Sequence, residues 1–172
     1  MALHPGNTTI SFTARLLGVI TVRGTFEEFD GVLRYAEDDP ARSSLAADVR
    51  AASITTGIAL RDRHLRGYSY LDAAEFPMIA FRSCTFAHRP PHLVVRGMLT
   101  LHGVTREEEI RCVSRPALED GRRGFVLTGE MLVRRRDFGV GQSSRLLRRL
   151  DPSPHLISGG VRISIRVRAD AR

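Results

Sequence analysis

Along most of this chain, apolar residues recur at every second position. Val161, Ile163, Ile165 and Val167 alternate with Arg162, Ser164, Arg166 and Arg168. Leu93, Val95, Gly97, Leu99 and Leu101 share one parity, as do Phe125, Leu127, Gly129, Met131 and Val133, and Leu45, Ala47, Val49 and Ala51. Successive side chains of a strand point to opposite faces, so each run has one apolar face and one face of arginine or hydroxyls. That is the pattern of an antiparallel sheet buried on a single side. It predicts strands near 8–14, 20–26, 29–36, 43–53, 78–87, 92–101, 105–115, 122–134 and 156–169, with tight hairpins at Gly103 and Asp120-Gly121. So many one-sided strands close on themselves or stack as a sandwich, because open edges invite aggregation. A barrel of about eight strands is just wide enough to be filled by side chains or to hold one slender ligand.

If the apolar face is the inner one, Phe12, Phe26, Phe81, Val95, Leu99, Phe125, Leu127, Ile163 and Ile165 line the interior. Small inward residues (Ala47, Ala51, Gly97, Gly129) either leave space for a ligand or mark strand bends.

One long stretch breaks the alternation. Ser53-Ile54-Thr55-Thr56-Gly57 leaves a strand through hydroxyls and a glycine, and Arg61-Asp62-Arg63-His64-Leu65-Arg66 follows with Leu60, Leu65 and Leu71 among its charges. Phe76-Pro77 stops any helix, since proline lacks the donor N–H and biases its predecessor to an extended shape. The spacing predicts a helical connection within 58–74 that caps the sheet, and a second short helix near 143–150.

The chain of 172 residues suits one domain, 1–172, and 42% hydrophobic content suits a globular fold. No run approaches the ~18 apolar residues of a membrane span. Met1 to Asn7 has neither a charged nor an apolar leader region, so the expected location is the cytoplasm. The net charge of +7 comes from arginine alone, because the chain contains no lysine. Schiff-base chemistry and a phosphate-loop lysine are therefore excluded. A nucleic-acid-binding barrel needs aromatics among arginines on an outer face, whereas these phenylalanines fall on apolar faces, so no nucleic acid is expected. Cys84 and Cys112 read as free, buried thiols.

Catalytic and metal constellations do not assemble. The six histidines show no zinc-ligand spacing, and no Gly-x-Ser-x-Gly elbow exists. Glu107-Glu108-Glu109 alternates across a strand and splits its carboxylates between faces. The expectation is no enzyme, no metal and no cofactor. A lipid-modifying enzyme would need an acid, base or nucleophile that the sequence does not bring together.

Several segments resemble one family. Ser53-Ile54-Thr55-Thr56-Gly57, Arg61-Asp62-x-His64-Leu65-Arg66 and Leu71-Asp72-Ala73-x-x-Phe76-Pro77 are similar to the signature of the YceI-like family. Val22-Arg23-Gly24-Thr25-Phe26, Gly97 to Thr105 and Arg136-Asp137-Phe138-Gly139-Val140 resemble further motifs, in family order. The resemblance implies a closed antiparallel lipocalin-like β-barrel. It also implies a non-catalytic role: binding, storage or transport of an isoprenoid or isoprenoid quinone-like lipid, with a homodimer as one assembly. On that reading Arg61 or His64 touches the ligand's polar head at the barrel mouth; alternatively, Asp62 caps backbone N–H groups and pairs with an arginine to pin the connection. Phe138 plugs one barrel end. The sequence departs from the pattern at Phe12-Thr13-Ala14-Arg15-Leu16-Leu17, where a histidine precedes the last leucine in relatives, and at Gly159-Gly160. Finally, Arg145-Leu146-Leu147-Arg148-Arg149-Leu150, with Arg134-Arg135-Arg136, either docks the protein on an anionic membrane or covers a barrel end.

Overall fold

The alternating runs form strands in the computed structural model, which describes residues 1–36, 38–119, 122–141 and 159–170. In chain order they are β1 (Ala2–Leu3), β2 (Thr8–Leu16), β3 (Ile20–Phe26), β4 (Phe29–Arg34), β5 (Ser44–Arg50), β6 (Ile54–Thr55), β7 (Met78–Arg89), β8 (His92–Leu101), β9 (Val104–Glu119), β10 (Arg122–Arg134) and β11 (Gly160–Asp170). One α-helix, α1 (Ala59–Arg66), lies between β6 and β7. The strands pair antiparallel in a single sheet, ordered β1-β4-β5-β7-β8-β9-β10-β11-β2-β3-β6. β1 and β6 are additions to the expected set, two residues each and too short for a period to register. The Asp120-Gly121 turn and the helix near 143–150 lie outside the described residues.

The sheet is not a closed barrel of about eight strands. Among the described residues its order is linear, with β1 and β6 at the edges, giving an open, curled half-barrel of eleven strands. The physical reason is a bent ribbon. β3 runs through Glu27-Glu28 into β4, and β5 runs through a 3-10 turn at Ala51–Ser53 into β6. β3 pairs with β2 and β6, whereas β4 pairs with β5 and β1. Across the bend, Glu27 N–H donates to Ser53 O (3.2 Å) and Arg50 N–H to Glu28 O (2.9 Å). This one ribbon belongs to both ends of the sheet, so the curl is held by the continuous chain and by the hydrogen bonds that bridge its bend.

Register places the connections that matter at one end. The turns at Leu16–Ile20 and Leu101–Val104, the segment after Arg134 and the connection 56–77 all leave the sheet there. At the Leu101–Val104 turn, His102 and Gly103 both have left-handed φ (52° and 72°), the conformation a two-residue hairpin requires. The expected helix within 58–74 is shorter: α1 ends at Arg66, Gly67 follows, and successive turns carry the chain to Pro77.

The apolar parity faces inward. Ile10, Phe12 and Ala14 of β2, and Leu93, Val95 and Leu99 of β8, are buried. Arginines of the outer parity make ion pairs instead: across strands, Arg82 reaches both carboxylate oxygens of Asp48 (2.8 and 2.7 Å) and Arg96 meets Glu109 (3.2 Å), which Arg111 of the same strand also bonds (3.0 Å). Among the described residues, no helix is long and apolar enough to cross a membrane.

Candidate ligand cavity

Small and β-branched side chains on the concave face leave the interior partly unfilled. A cavity of about 170 Å³ lies beneath the connection 56–77. Its walls come from Ile10, Phe12 and Ala14 of β2, Phe26 of β3, Ala47 and Val49 of β5, Ile79 and Phe81 of β7, Leu99 of β8 and Ile163 and Ile165 of β11. Leu65, Tyr70 and Leu71 roof it from the connection, which acts as a lid. A smaller cavity of about 50 Å³ lies deeper, lined by Leu33, Phe86, Val95, Leu127 and Gly129 among others. Ile10, Ala47, Phe81, Ile110 and Ile165 line both, so the two share one apolar wall.

The sequence-predicted lining residues sort accordingly. Phe12, Phe26, Leu99 and Ile163 border the larger cavity, Val95 and Leu127 the smaller, and Phe81 and Ile165 both. Phe125 borders neither; it is partly buried beside Tyr35, ring centroids 6.2 Å apart. Ile10, Ala14, Met131 and Val133 also border the larger cavity and share the parity of an expected lining residue on their own strands, as Val49 shares that of Ala47. Of the small inward residues, Ala47 and Gly129 border cavities, whereas Ala51 is buried at the ribbon's bend. Gly97 admits a neighbour: a Cβ there would lie 2.6 Å from the Phe81 ring.

Arg61 and His64 do not border the cavity. Arg61 donates through Nε to Thr56 Oγ1 (2.8 Å) and through Nη2 to Thr56 O (3.1 Å). His64 is exposed and meets Tyr70 edge-on at 5.3 Å. Asp62 is the buried member of the trio and pins the lid. It accepts hydrogen bonds from the Thr56 backbone N–H (2.8 Å), the Thr56 hydroxyl and the Thr55 hydroxyl (3.2 Å). Burial pushes its carboxyl up, but these bonds and the Arg66 charge outweigh that and hold it below its ordinary value. Arg66 completes the clasp by donating to Ile54 O (2.8 Å). The capping expected of Asp62 is therefore directed at the Thr55-Thr56 turn before α1; the N-cap position itself is Ile58.

At the same end of the cavity, the chain after β10 forms a 3-10 turn, Arg135–Phe138. Phe138 is 0% exposed and seals the sheet end. Gly139, at φ 73°, lets the chain reverse so that Val140 N–H bonds Arg135 O (3.0 Å). Arg135 is only 4% exposed, borders the cavity and donates through Nη1 to Val140 O (3.0 Å). Burial, then the nearby Arg136, lowers its pKa, while Tyr70 opposes them. Nothing in the sequence distinguished Arg135 from its neighbours Arg134 and Arg136.

Other reactive groups stand apart from the cavity's mouth. Burial raises Glu108, assisted by the Asp137 charge, where β9 and β10 separate beyond the Arg111–Glu130 pair. Hydrogen bonds from Arg111, then Arg96, lower Glu109 against its burial. Among the described residues no group of three His, Cys, Asp or Glu side chains is placed to hold a metal. Both cysteines are free, and Cys112 is buried, but Cys84 is exposed, contrary to expectation. The reason is a bulge: the register shifts between Ser83 and Thr85, which turns Cys84 outward.

The pattern of the YceI-like domain matches residues 1–169 of this chain. The chain belongs to the YceI-like family. The protein YceI of Salmonella arizonae is 30% identical over 135 residues, which span 76% of this chain and 70% of that one. Among solved structures, Burkholderia cenocepacia BcnA superposes with a TM-score of 0.80 at 20% identity, covering 94% of this chain and 96% of BcnA. A polyisoprenoid-binding domain from Saccharophagus degradans superposes with a TM-score of 0.68 at 16% identity, covering 99% and 97%. The YceI-like motifs gather around the lid end: Thr55, Thr56 and Asp62 clasp the lid, and the Arg136–Val140 stretch closes the sheet beside it. Gly24 belongs to the same cluster, since a Cβ there would meet Thr55 O at 2.4 Å. Leu16 lies at the adjoining hairpin turn.

Proposed function

We propose that this chain binds an elongated apolar ligand, an isoprenoid or isoprenoid quinone-like lipid, inside the curled sheet, and stores or carries it without chemical change. The observation that carries this reading is the pair of apolar cavities, about 170 and 50 Å³, that share the wall made by Phe81, Ile110 and Ile165. The naming of the Saccharophagus degradans relative as a polyisoprenoid-binding domain supports the ligand class. Transfer of apolar surface from water contributes about 25 cal/mol per Å², so a slender hydrocarbon needs few polar contacts for affinity. The cavities are smaller than the roughly 300–1,000 Å³ of most ligand sites. Uptake of a long chain therefore parts the shared wall and shifts Leu65 and Leu71 of the lid. In the larger cavity Tyr70 and Arg135 are the lining residues with hydrogen-bonding side chains, and the ligand's polar end turns toward them.

Titration of delipidated protein with prenols of increasing chain length tests the reading. Saturable binding that strengthens with chain length and then levels off supports it. Prenols that leave the protein's fluorescence and unfolding midpoint unchanged at every length would refute it.

A further inference from the structure

The lid end carries an unusual surface. Leu17 is 59% exposed, Val19 80% and Leu60 76%, and Ile20, Ile58 and Tyr68 are each more than half exposed. They come from two segments, the β2–β3 turn and residues 58–68 of the lid, and both leave the sheet at the same end. β3 and β6 pair at Thr25 and Thr55, and from there β3 leads back to the turn while the chain beyond β6 enters the lid. Scattered exposed apolar side chains are ordinary, but a set concentrated on two segments at one end marks an interaction surface.

The turn has a second peculiarity. Leu17 adopts φ 53°, a left-handed conformation that suits glycine or asparagine and strains leucine. An apolar side chain is thus held out to solvent at a position where a polar one would be more comfortable. Strain kept at an exposed site points to a use for the side chain.

The charge on these two segments is predominantly positive, the lid's other acids, Asp72 and Glu75, lying beyond Tyr68. The turn from Thr13 to Thr25 carries Arg15 and Arg23 and no acid. Residues 56–68 carry Arg61, Arg63 and Arg66 against the single carboxylate of Asp62, which is buried. We propose that this face docks on an anionic lipid bilayer, with Leu17, Val19 and Leu60 entering the interface and the exposed Arg23 and Arg63 lying among the headgroups. A twofold contact between copies would instead set the same arginines against each other, which disfavours it. The docked segments also border the cavity: Ala14 lies one residue before Arg15, and Leu65 and Leu71 roof the space. Docking therefore brings the lid onto the membrane. The readout needs no bound cargo, so failure of this proposal is separable from failure of the cavity reading.

The test is co-sedimentation with phosphatidylcholine vesicles prepared with and without phosphatidylglycerol. Leu17→Asn/Val19→Thr/Ile20→Thr keeps the turn and relieves Leu17, so its unfolding midpoint stays or rises. The wild type is expected to pellet with the anionic vesicles and to be released by salt. The triple variant is expected to partition at least about tenfold less, and Arg23→Gln/Arg63→Gln to lose the preference for phosphatidylglycerol. Wild type that stays in solution, or a triple variant that pellets like wild type, overturns the proposal. So does a wild-type dimer that the triple substitution converts to monomer without any vesicle binding, which would make the face a contact between copies.

Discussion

The ring of Phe81 fills the space that a side chain at Gly97 would need: a Cβ on Gly97 would lie 2.6 Å from Phe81 Cζ and 2.4 Å from the Arg82 carbonyl oxygen. The ring could turn aside, but the carbonyl belongs to the neighbouring strand and has no such freedom. Gly97→Ala is expected to destabilise the fold by about 1–3 kcal/mol, as overpacking does. Gly159, whose Cβ would meet nothing within 4 Å, provides the control. Thermal melts should show a lowered midpoint for Gly97→Ala and little change for Gly159→Ala; equal midpoints would show that the strands are not in this close approach.

Asp62 makes the lid's attachment sensitive to acid. Its carboxyl is held below the ordinary value of 3.8, so it contributes stability that is fully present above that value. The contribution is lost as pH falls from 3.8 through the lower folded value. Asp62→Asn removes the charge and one strong acceptor, and is expected to cost about 1–3 kcal/mol at neutral pH. The difference between variant and wild type should shrink below pH 3.8, where the wild-type carboxyl takes up its proton. A constant difference across the acid range would contradict the assignment.

The two thiols should behave differently. Burial pushes the Cys112 thiol up to about 12, while Cys84 is exposed at the bulge. Near neutral pH a disulfide reagent is expected to modify Cys84 quickly and leave Cys112 intact until the protein is denatured. Rapid modification of Cys112 in the folded protein would mean that the interior opens more readily than its packing indicates.

Parity made most of the inner face legible. Phe12, Leu99 and Ile163 border the cavity because a period of two fixes which face a side chain takes. Position along the strand is a different quantity, and parity says nothing of it: Phe125 shares the parity of Leu127 yet packs beside Tyr35, away from both cavities. The sheet's open order was hidden for a related reason. Glu27-Glu28 reads as a gap between two strands, and only the hydrogen bonds to Ser53 and Arg50 reveal a continuous bent ribbon. Arg135 sits just beyond the last alternating residue, Val133, among three arginines that composition makes equivalent. Its burial follows from the reversal at Gly139, a tertiary event.

The cavities should respond differently to filling. Leu99 borders the larger space, so Leu99→Trp is expected to fold and to abolish uptake of prenols. Val95 is 1% exposed and faces only the smaller cavity of about 50 Å³. Val95→Phe is expected to lose about 1–3 kcal/mol through overpacking. Denaturant titration and prenol binding on the same preparations check both expectations. Loss of fold in Leu99→Trp would place that residue in a dry, packed core.

The central claim is that the interior holds an apolar chain. Native mass spectrometry of the protein taken gently from its producing cells tests this most directly, followed by organic extraction and fragmentation of whatever is released. The predicted result is a population carrying one added molecule, whose extract fragments as a prenyl chain, and which is absent from Leu99→Trp. A wild-type spectrum showing the bare polypeptide alone, even from cells supplied with excess prenol, would contradict it.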